Sequence, residues 1–385
     1  MAPMKEVAES SHDVDDTVAL SGLIPFVGYR ATLFVSAFLL NISVFVLSAL
    51  FLYKVSFIVL KDERMAYQST ALFCLNPASI FYASIYSESL FSILTFAGLL
   101  ELQCGSQWRS ACLFAISGGV RSNGVVHGGF FLFHAIQESF KAFCQRRLKM
   151  AVRIICSAVL QSAIVLGPFI AFQAFGFSRL CWKGTEGTYG RPWCTRKLPY
   201  LYGFVQSNYW DVGFLRYFQL KQLPNFLLAS PMLSLAVGSI VCYVWHRPKL
   251  FFTLGLCLDS AAPANIVDKR KQMKSKSMGL VPVIHKDSNL KWRGQNNSLM
   301  NAEDDSAKMG GLSESNDNIH GGAFFSPKNI PFLIELGFMA LVACFVMHVQ
   351  VATRFLSASP PIYWILIVCE LLPIYMREIP RDTCG

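Results

Sequence analysis

The chain has 385 residues, of which 53% are hydrophobic and 15% are charged, and its mean hydropathy is +0.41. This composition lies outside the range of soluble domains and indicates a polytopic membrane protein. The net charge of +10 does not indicate nucleic-acid binding, because the basic residues lie in loops between apolar segments rather than in one basic stripe with interleaved aromatic side chains. We predict an all-α protein with several transmembrane helices and no nucleic acid as a partner.

The first half of the chain contains one uninterrupted apolar segment and two interrupted ones. Residues 31–60 are long enough to span a membrane. Residues 66–103 are interrupted by a polar break at 76–77, and a second segment that follows them is interrupted by the sequence GVRSNG at 119–124. Each interrupted segment is predicted to be either one kinked span or a pair of short helices.

Basic clusters constrain the topology. The clusters at 61–64 and 141–153 most simply lie on the same side of the membrane, so an even number of crossings separates them. Two crossings and four both fit, and we prefer four because both breaks then lie on one opposite face. The larger number of Lys and Arg residues assigns the clusters to the cytosol and the breaks to the lumen.

Further spans are predicted in the second half of the chain, at 150–175, 226–245, 330–349 and 362–376. The loop at 176–225 is rich in Trp, Tyr, Gly and Pro, and long structured loops usually carry function. It contains Cys181 and Cys194, which can form a disulfide if the loop lies in an oxidising lumen. The other cysteines lack zinc-type spacing, and we predict no metal site.

Four segments divide the chain. These are a polar N-terminal segment at 1–23, a membrane core at 24–245 with its luminal loop, an insertion at 246–328, and C-terminal transmembrane segments at 329–385. Most of the insertion consists of Lys, Ser, Asn, Asp and Gly and cannot bury enough apolar area to fold, so we predict that it is disordered and cytosolic.

The first break and its surroundings contain candidate functional residues. Glu88 follows the first break, and an intramembrane carboxylate must face protein or a water-filled cavity. It is either a hydrogen-bond acceptor or base in that cavity, or a structural partner of a neighbouring helix. Asn76 and Pro77 suit a helix end followed by a helix start, which favours an architectural role. Arg121 and Asn123 lie between glycines, where an arginine fork suits a phosphate and where helix packing is the alternative.

Two further clusters are predicted on the same face. Trp210 and Asp211, in the long loop, combine an aromatic surface with an acid, which suits a sugar or a lipid head group and also an interfacial aromatic belt. His348, Gln350 and Arg354 follow the span at 330–349. His348 is more typical of a structural histidine, whereas Arg354 lies where a cation can bind an anion.

These same motifs resemble a known family. LFCLNPASIFYASIYSESL, GVRSNG, the loop sequence PWCTRKLPYLYGFVQSNYWDVGFLRYFQLKQLPNFLLASP and MHVQVATRFLSASPPIYW resemble the second mannosyltransferase family of GPI-anchor assembly, the class V phosphatidylinositol-glycan proteins, in a plant-like form. The similarity covers residues 24–364 apart from the insertion. It implies a multi-pass protein of GT-C type in the endoplasmic-reticulum membrane.

The resemblance also implies an activity. Family members transfer the second mannose, in α1,6 linkage, from dolichol-phosphate mannose to a glycosylphosphatidylinositol intermediate on the luminal face. Dolichol-phosphate mannose and the GPI intermediate are then the expected partners, an accessory membrane subunit is left open, and no cofactor is predicted. The expected substrate-binding residues are Asn76, Pro77, Arg121, Asn123, Trp210, His348, Gln350 and Arg354.

The catalytic residue is left open by the resemblance. The family's key acid lies in a Trp-Asp motif of a first luminal loop, and no such motif precedes Ile24. We therefore expect a chain truncated at the N-terminus and the C-terminus, in which Glu88 and Asp211 are the best remaining acids. Arg121 and Arg354 are expected to stabilise the phosphate leaving group. An inactive family member and a membrane transporter are the alternative functions.

Overall fold

The computed structural model describes residues 28–181, 192–197, 199–256 and 322–368. The predicted N-terminal segment at 1–23, the part of the insertion at 257–321 and the chain after residue 368 lie outside the described residues. Within the described residues the regular secondary structure is helical, without a β-strand, which confirms the predicted all-α class. The α-helices are α1 Tyr29–Leu60, α2 Glu63–Cys74, α3 Ser79–Ala83, α4 Glu88–Gln103, α5 Gln107–Val120, α6 Gly128–Cys144, α7 Leu148–Leu180, α8 Leu201–Tyr209, α9 Leu223–His246, α10 Pro248–Phe252, α11 Ile330–Phe345, α12 Ala352–Leu356 and α13 Pro361–Val368.

Four stretches of the described chain are long and apolar enough to cross a membrane. They are Tyr29–Leu60, Leu148–Leu180, Leu220–His246 and Pro327–Phe345. The first three contain the predicted spans 31–60, 150–175 and 226–245, and the fourth overlaps the predicted span 330–349, which continues past the end of the helix at Phe345. Helices α12 and α13 form a fifth candidate that is bent by 83°. In α1 only 17% of the most apolar window is buried, so most of its large apolar side chains face outward, as lipid contact requires.

Both predicted breaks are present, and each divides its segment into two main helices. The first pair is α2 and α4, with the five-residue helix α3 between them. The second pair is α5 and α6, with a 3₁₀ turn at Ser122–His127 between them. These four helices have 12 to 17 residues, shorter than the roughly 20 that cross a bilayer upright. The preferred number of four crossings therefore stays a prediction, whereas the division into pairs of helices is confirmed.

Helix packing builds two clusters of buried apolar side chains. The larger joins α1, α2, α4, α5, α6 and α7 to residues 324–333 and to α13. The smaller joins α9, α11 and α12. Polar groups add specific bonds between helices, such as the 2.6 Å contact between the hydroxyls of Ser48 and Ser92 and the 2.8 Å bond from Trp364 Nε1 to Ser56. Contacts of Glu88 with Arg121 and with Arg354 bring together the start of α4, the end of α5 and helix α12.

Candidate active site at the helix breaks

Glu88 lies at the centre of a buried cluster of three charged side chains. It is the first residue of α4, and its side chain is 1% exposed. Its Oε1 lies 2.6 Å from Nη1 of Arg121 and accepts a 2.6 Å hydrogen bond from Nε of Arg354, whose Nη2 also donates to it. The other oxygen, Oε2, is buried and has no hydrogen-bond partner among the described residues. The sequence-predicted acid and both sequence-predicted arginines therefore meet at one point.

The cluster carries an excess of positive charge. Two guanidinium groups share one carboxylate, so the three side chains sum to one positive charge when all are ionised. The side chains of Arg121 and Arg354 are 17% and 26% exposed, so an incoming group can reach them more readily than Glu88. A buried surplus cation is costly without an anion. This arrangement is suited to binding an anionic group beside the carboxylate.

Aromatic rings hold the two guanidinium groups. The guanidinium carbon of Arg354 lies 4.2 Å from the ring centroid of Phe81 and 5.0 Å from that of Tyr86. The guanidinium carbon of Arg121 lies 5.8 Å from the ring of Phe91. Such cation–π contacts exclude water from one side of each cation and fix its direction. The arginines are therefore oriented by ring stacking as well as by Glu88.

The first break is shaped by two asparagines. The backbone N–H of Ala78 donates to Oδ1 of Asn76 at 2.6 Å, and Nδ2 of Asn76 donates to the carbonyl of Phe73. Asn76 therefore closes α2 and starts the next turn at Pro77, which is the architectural role predicted for this pair. From α1, Nδ2 of Asn41 donates to the carbonyl of Tyr82 at 2.7 Å. These bonds fix the chain that leads into Glu88, where a carboxylate at a helix N-terminus is also favoured by the helix dipole.

The second break places Arg121 by close backbone packing. Helix α5 ends at Val120, and Arg121 is extended with φ −145° and ψ 137°. A Cβ on Gly124 would lie 2.5 Å from the backbone nitrogen of Gly118, so the turn folds back onto α5 in a way that only glycine permits. The glycines therefore serve packing, the alternative considered for this motif, and the packing brings Arg121 to Glu88. Asn123 is buried in the same turn.

Arg354 is fixed by a hydrogen-bond chain. The Ser357 hydroxyl donates to the carbonyl of Arg354 at 2.9 Å and lies 2.8 Å from the hydroxyl of Tyr82. The hydroxyl of Tyr363 donates to the carbonyl of Ser357 at 2.7 Å. Helix α12 is thus joined to the first break and to α13 through the buried side chains of Ser357, Tyr82 and Tyr363.

The long loop joins the same face, as predicted. The hydroxyl of Tyr202 lies 2.8 Å from that of Ser122, beside Arg121. Backbone N–H groups of Gly213 and Leu215 donate to carbonyls at the end of α11, at 3.1 and 2.8 Å. Cys181 forms a disulfide with Cys194, with Cα atoms 5.7 Å apart. Both breaks, the loop and the segment before α12 are therefore brought together in the structure.

Four predicted residues of the long loop and of the connection between α11 and α12 lie outside the charged cluster, in addition to those of the two breaks. Trp210 is 62% exposed, and its carbonyl is in contact with Nε2 of His348. Asp211 is exposed and pairs with Arg216 at 3.2 Å. Gln350 is exposed in the 3₁₀ turn before α12. His348 links the loop to the α11–α12 connection, which is the structural role predicted for it.

A second buried pair was not singled out from the sequence. Nδ1 of His127 lies 2.5 Å from Oε1 of Glu335, and Nε2 of His127 lies 3.1 Å from the hydroxyl of Thr95. The signal that could have found it is the presence of an ionisable residue in each of two apolar segments, GVVHGGFF and PFLIELGF. Within the described residues no group of three or more His, Cys, Asp or Glu side chains is arranged to hold a metal ion.

The fold and the site define a class: an all-α polytopic membrane protein whose helix breaks gather a buried carboxylate and two arginines on one face. The family described as Mannosyltransferase (PIG-V) matches residues 15–372, and the chain belongs to this family. No solved structure matches it.

Its relatives are named for one activity. The chain is 33% identical over 366 residues to GPI alpha-1,6-mannosyltransferase 2 of Cricetulus griseus and 32% identical over 371 residues to the human protein of that name, each across 90% of this chain. It is 27% identical to GPI mannosyltransferase 2 of Drosophila pseudoobscura pseudoobscura, across 92% of this chain and 70% of that protein. The chain spans 63% of the length of the Cricetulus griseus protein and 64% of the human one.

Proposed function

We propose that the protein is a mannosyltransferase that adds the second mannose, in α1,6 linkage, to a glycosylphosphatidylinositol intermediate. The donor is dolichol-phosphate mannose, and the reaction takes place on the luminal face of the endoplasmic-reticulum membrane. Family membership and the names of the relatives support the activity. The observation that carries the site assignment is the meeting of Glu88, Arg121 and Arg354 on one face.

The charge of the cluster matches the donor. A dolichyl phosphate leaves with negative charge on its phosphate, and preorganised cations stabilise such a leaving group. Arg121 and Arg354 together exceed Glu88 by one positive charge, and both remain partly exposed. Arginine presents a planar fork that suits phosphate oxygens. These two residues are therefore assigned to the phosphate of the donor.

In the reaction, an acceptor hydroxyl attacks the anomeric carbon of mannose. A bond forms from the acceptor oxygen to that carbon, the bond from the carbon to the phosphate oxygen breaks with its electron pair staying on the phosphate, and the hydroxyl proton passes to a base. The configuration at the carbon inverts. Arg121 and Arg354 bind the phosphate and stabilise the negative charge that develops on it.

Glu88 is better suited to orienting the arginines than to accepting this proton. Its Oε1 already faces three N–H donors, and protonating it would weaken all three contacts. Its Oε2 is buried and has no hydrogen-bond partner in the part of the chain that the structure describes, so it can accept a hydrogen bond from a substrate hydroxyl. Of the two acids expected from the sequence, Asp211 stays the candidate base, because it is exposed and its carboxylate pairs with Arg216 at the surface rather than with Arg121 or Arg354.

The disulfide supports the luminal assignment of this face. Disulfides persist in oxidising compartments, and the one between Cys181 and Cys194 lies in the loop that joins the cluster. The opposite ends of the helices bear the basic residues of the 61–64 and 141–153 clusters, as the positive-inside rule requires of a cytosolic face. This orientation brings the site to a donor and an acceptor on the luminal side.

The test is complementation of cells that lack the second mannosyltransferase, with GPI-anchored protein at the cell surface measured by flow cytometry. The chain is expected to restore surface anchoring, and Arg354→Gln is expected to abolish it. Arg109→Gln is the matched control, because Arg109 also pairs with a glutamate but is 70% exposed. A well-expressed, folded chain that restores nothing would favour the inactive alternative. Equal rescue by Arg354→Gln would refute the site.

A further inference from the structure

The pair formed by His127 and Glu335 has no task in the proposed reaction. Their side chains are 6% and 13% exposed, and they lie in apolar segments where ionisable groups are costly. The ring of His127 is surrounded by aromatic rings, the nearest being Phe114 at 4.6 Å between centroids. With Thr95 on its other nitrogen, both nitrogens of the His127 ring have partners. A histidine ring with a partner on each nitrogen is held in one orientation, because each bond fixes the direction of the ring.

This pair lies along the same helix face as the Glu88 cluster. On α4, Glu88, Phe91 and Thr95 follow one another at spacings of three and four residues and so share a face. Seven residues of helix correspond to about 10 Å, which places Thr95 two turns below Glu88. Phe91 lies between the two levels, because its ring is 5.8 Å from the guanidinium of Arg121 and 5.9 Å from the ring of His127.

The turn at Ser122–His127 contacts this face at both ends. Arg121 precedes the turn and meets Glu88, while His127 ends the turn and meets Thr95. On the other side, Glu335 belongs to α11, the helix that leads to α12 and Arg354. The bond from His127 to Glu335 therefore joins the segment that carries Arg121 to the segment that carries Arg354.

We propose that His127 and Glu335 are a positioning pair. Together they hold Arg121 and the 3₁₀ turn at Ser122–His127, here called the Arg121 turn, in register with Arg354. Apolar packing between the same helices already exists, since the rings of Phe130 and Phe332 are 5.2 Å apart, and it can contribute stability without fixing one register. The bond between Nδ1 of His127 and the carboxylate of Glu335 adds direction, because a hydrogen bond to a carboxylate depends on one alignment of the two helices. The consequence for catalysis rests on the proposed function, whereas the placement of the turn does not.

The placement is tested without any transfer reaction. In the chain carrying Ser122→Cys, a membrane-impermeant maleimide labels residue 122, and the rate is read by mass spectrometry of the labelled peptide. Glu335→Gln is expected to speed this labelling about tenfold, because the turn opens locally when its anchor is lost. The double variant His127→Glu with Glu335→His restores the slow rate. Glu138→Gln, in an exposed pair with Lys141, leaves it unchanged.

A milder variant covers the case in which Glu335→Gln fails to fold. Thr95→Val keeps the shape of the side chain and removes the hydroxyl that contacts His127. The variant also removes the longer, 3.4 Å contact between this hydroxyl and that of Ser117 on α5. It is expected to speed labelling about threefold, in line with the loss of such neutral hydrogen bonds. Unchanged labelling in the folded single variants would overturn the inference. A double variant that regains its thermal stability but keeps the fast labelling rate would also overturn it.

The catalytic consequence is measured separately, as mannose transfer to a GPI intermediate in microsomes. Glu335→Gln is expected to raise KM for the donor about tenfold with a smaller change in kcat, because the phosphate-binding arginine is displaced before chemistry begins. The double variant restores KM. If the parent chain transfers no mannose while labelling at residue 122 still responds, the proposed function fails and the positioning pair stands. If transfer occurs but Glu335→Gln has the same KM for the donor as the parent chain, the pair does not position Arg121.

Discussion

Replacing Glu88 distinguishes a counter-ion from a catalytic base. Glu88→Ala leaves two neighbouring guanidinium groups without their shared anion. Breaking a buried ion pair costs about 3–5 kcal/mol, and the partial exposure of both arginines places this site near the lower end, at about 3 kcal/mol. At about 2–4 °C per kcal/mol for a chain of a few hundred residues, the melting temperature is expected to fall by roughly 6–12 °C.

Glu88→Gln is the sharper variant, because it keeps the shape of the side chain and removes its charge. As a counter-ion, Glu88 is expected to be partly replaceable by deleting one cation, so Glu88→Gln with Arg121→Gln should regain at least half of the lost stability. If Glu88 were instead the catalytic base, Glu88→Gln would lose transfer while its melting temperature stayed near that of the parent. The melting temperature is measured on detergent-purified protein, and transfer is measured by restored surface GPI-anchored protein.

Glu101→Gln is the matched control for this experiment. Glu101 also pairs with an arginine, but the side chain of that partner, Arg109, is 70% exposed. Exposed ion pairs contribute about 0–1 kcal/mol, so the control is expected to melt within about 4 °C of the parent. If Glu88→Gln melts like this control while transfer is lost, the counter-ion role is refuted.

Three further predictions follow from the packing and the topology. Gly124→Ala is expected to displace the Arg121 turn and abolish rescue, because its Cβ would meet the α5 backbone, whereas Gly129→Ala adds a Cβ to open space and is tolerated. Cys181→Ser is expected to lower the stability by about 3 kcal/mol, the value for a loop of about this length, and to leave Cys194 reactive toward a maleimide without prior reduction. Asn296 begins the glycosylation sequon Asn296-Asn297-Ser298 in the insertion that we predict to be cytosolic, so it is expected to stay unglycosylated in microsomes, as judged by unchanged mobility after endoglycosidase treatment.

Each of these outcomes has a clear contradiction. If Gly124→Ala rescued as well as the parent chain, the placement of Arg121 by this turn would not be required for the reaction. A Cys194 thiol that reacts equally in the parent and in Cys181→Ser would place the loop in a reducing compartment. A glycan on Asn296 would invert the proposed topology.

Several features of the site followed from the sequence because they are local conflicts with a membrane environment. Glu88, Asn76 and Pro77 interrupt an apolar segment, and each must be compensated within protein, so the sequence predicted a break with a polar role. Parity of the basic clusters then predicted that both breaks, the loop and Arg354 share one face. The contacts of Arg121, Tyr202 and Arg354 confirm that convergence.

The roles within that face depended on the tertiary structure. The sequence left Glu88 open between a base and a structural partner, because the groups that share its Oε1 come from distant segments, Arg354 being 266 residues away. The sequence also left two roles for the glycines around Arg121, the close approach of a ligand and helix packing. The short distance between a Cβ placed on Gly124 and the backbone nitrogen of Gly118 favours packing.

The sequence by itself determined the membrane class, the helix breaks and the charged residues available to the site, because hydropathy and charge act on each segment separately. Only the tertiary structure decided which of these charges meet. His127 and Glu335, which lie 208 residues apart, show the reason. Each is an isolated ionisable residue in an apolar segment, and the partner that stabilises it is fixed by how α6 and α11 pack, which no single segment specifies.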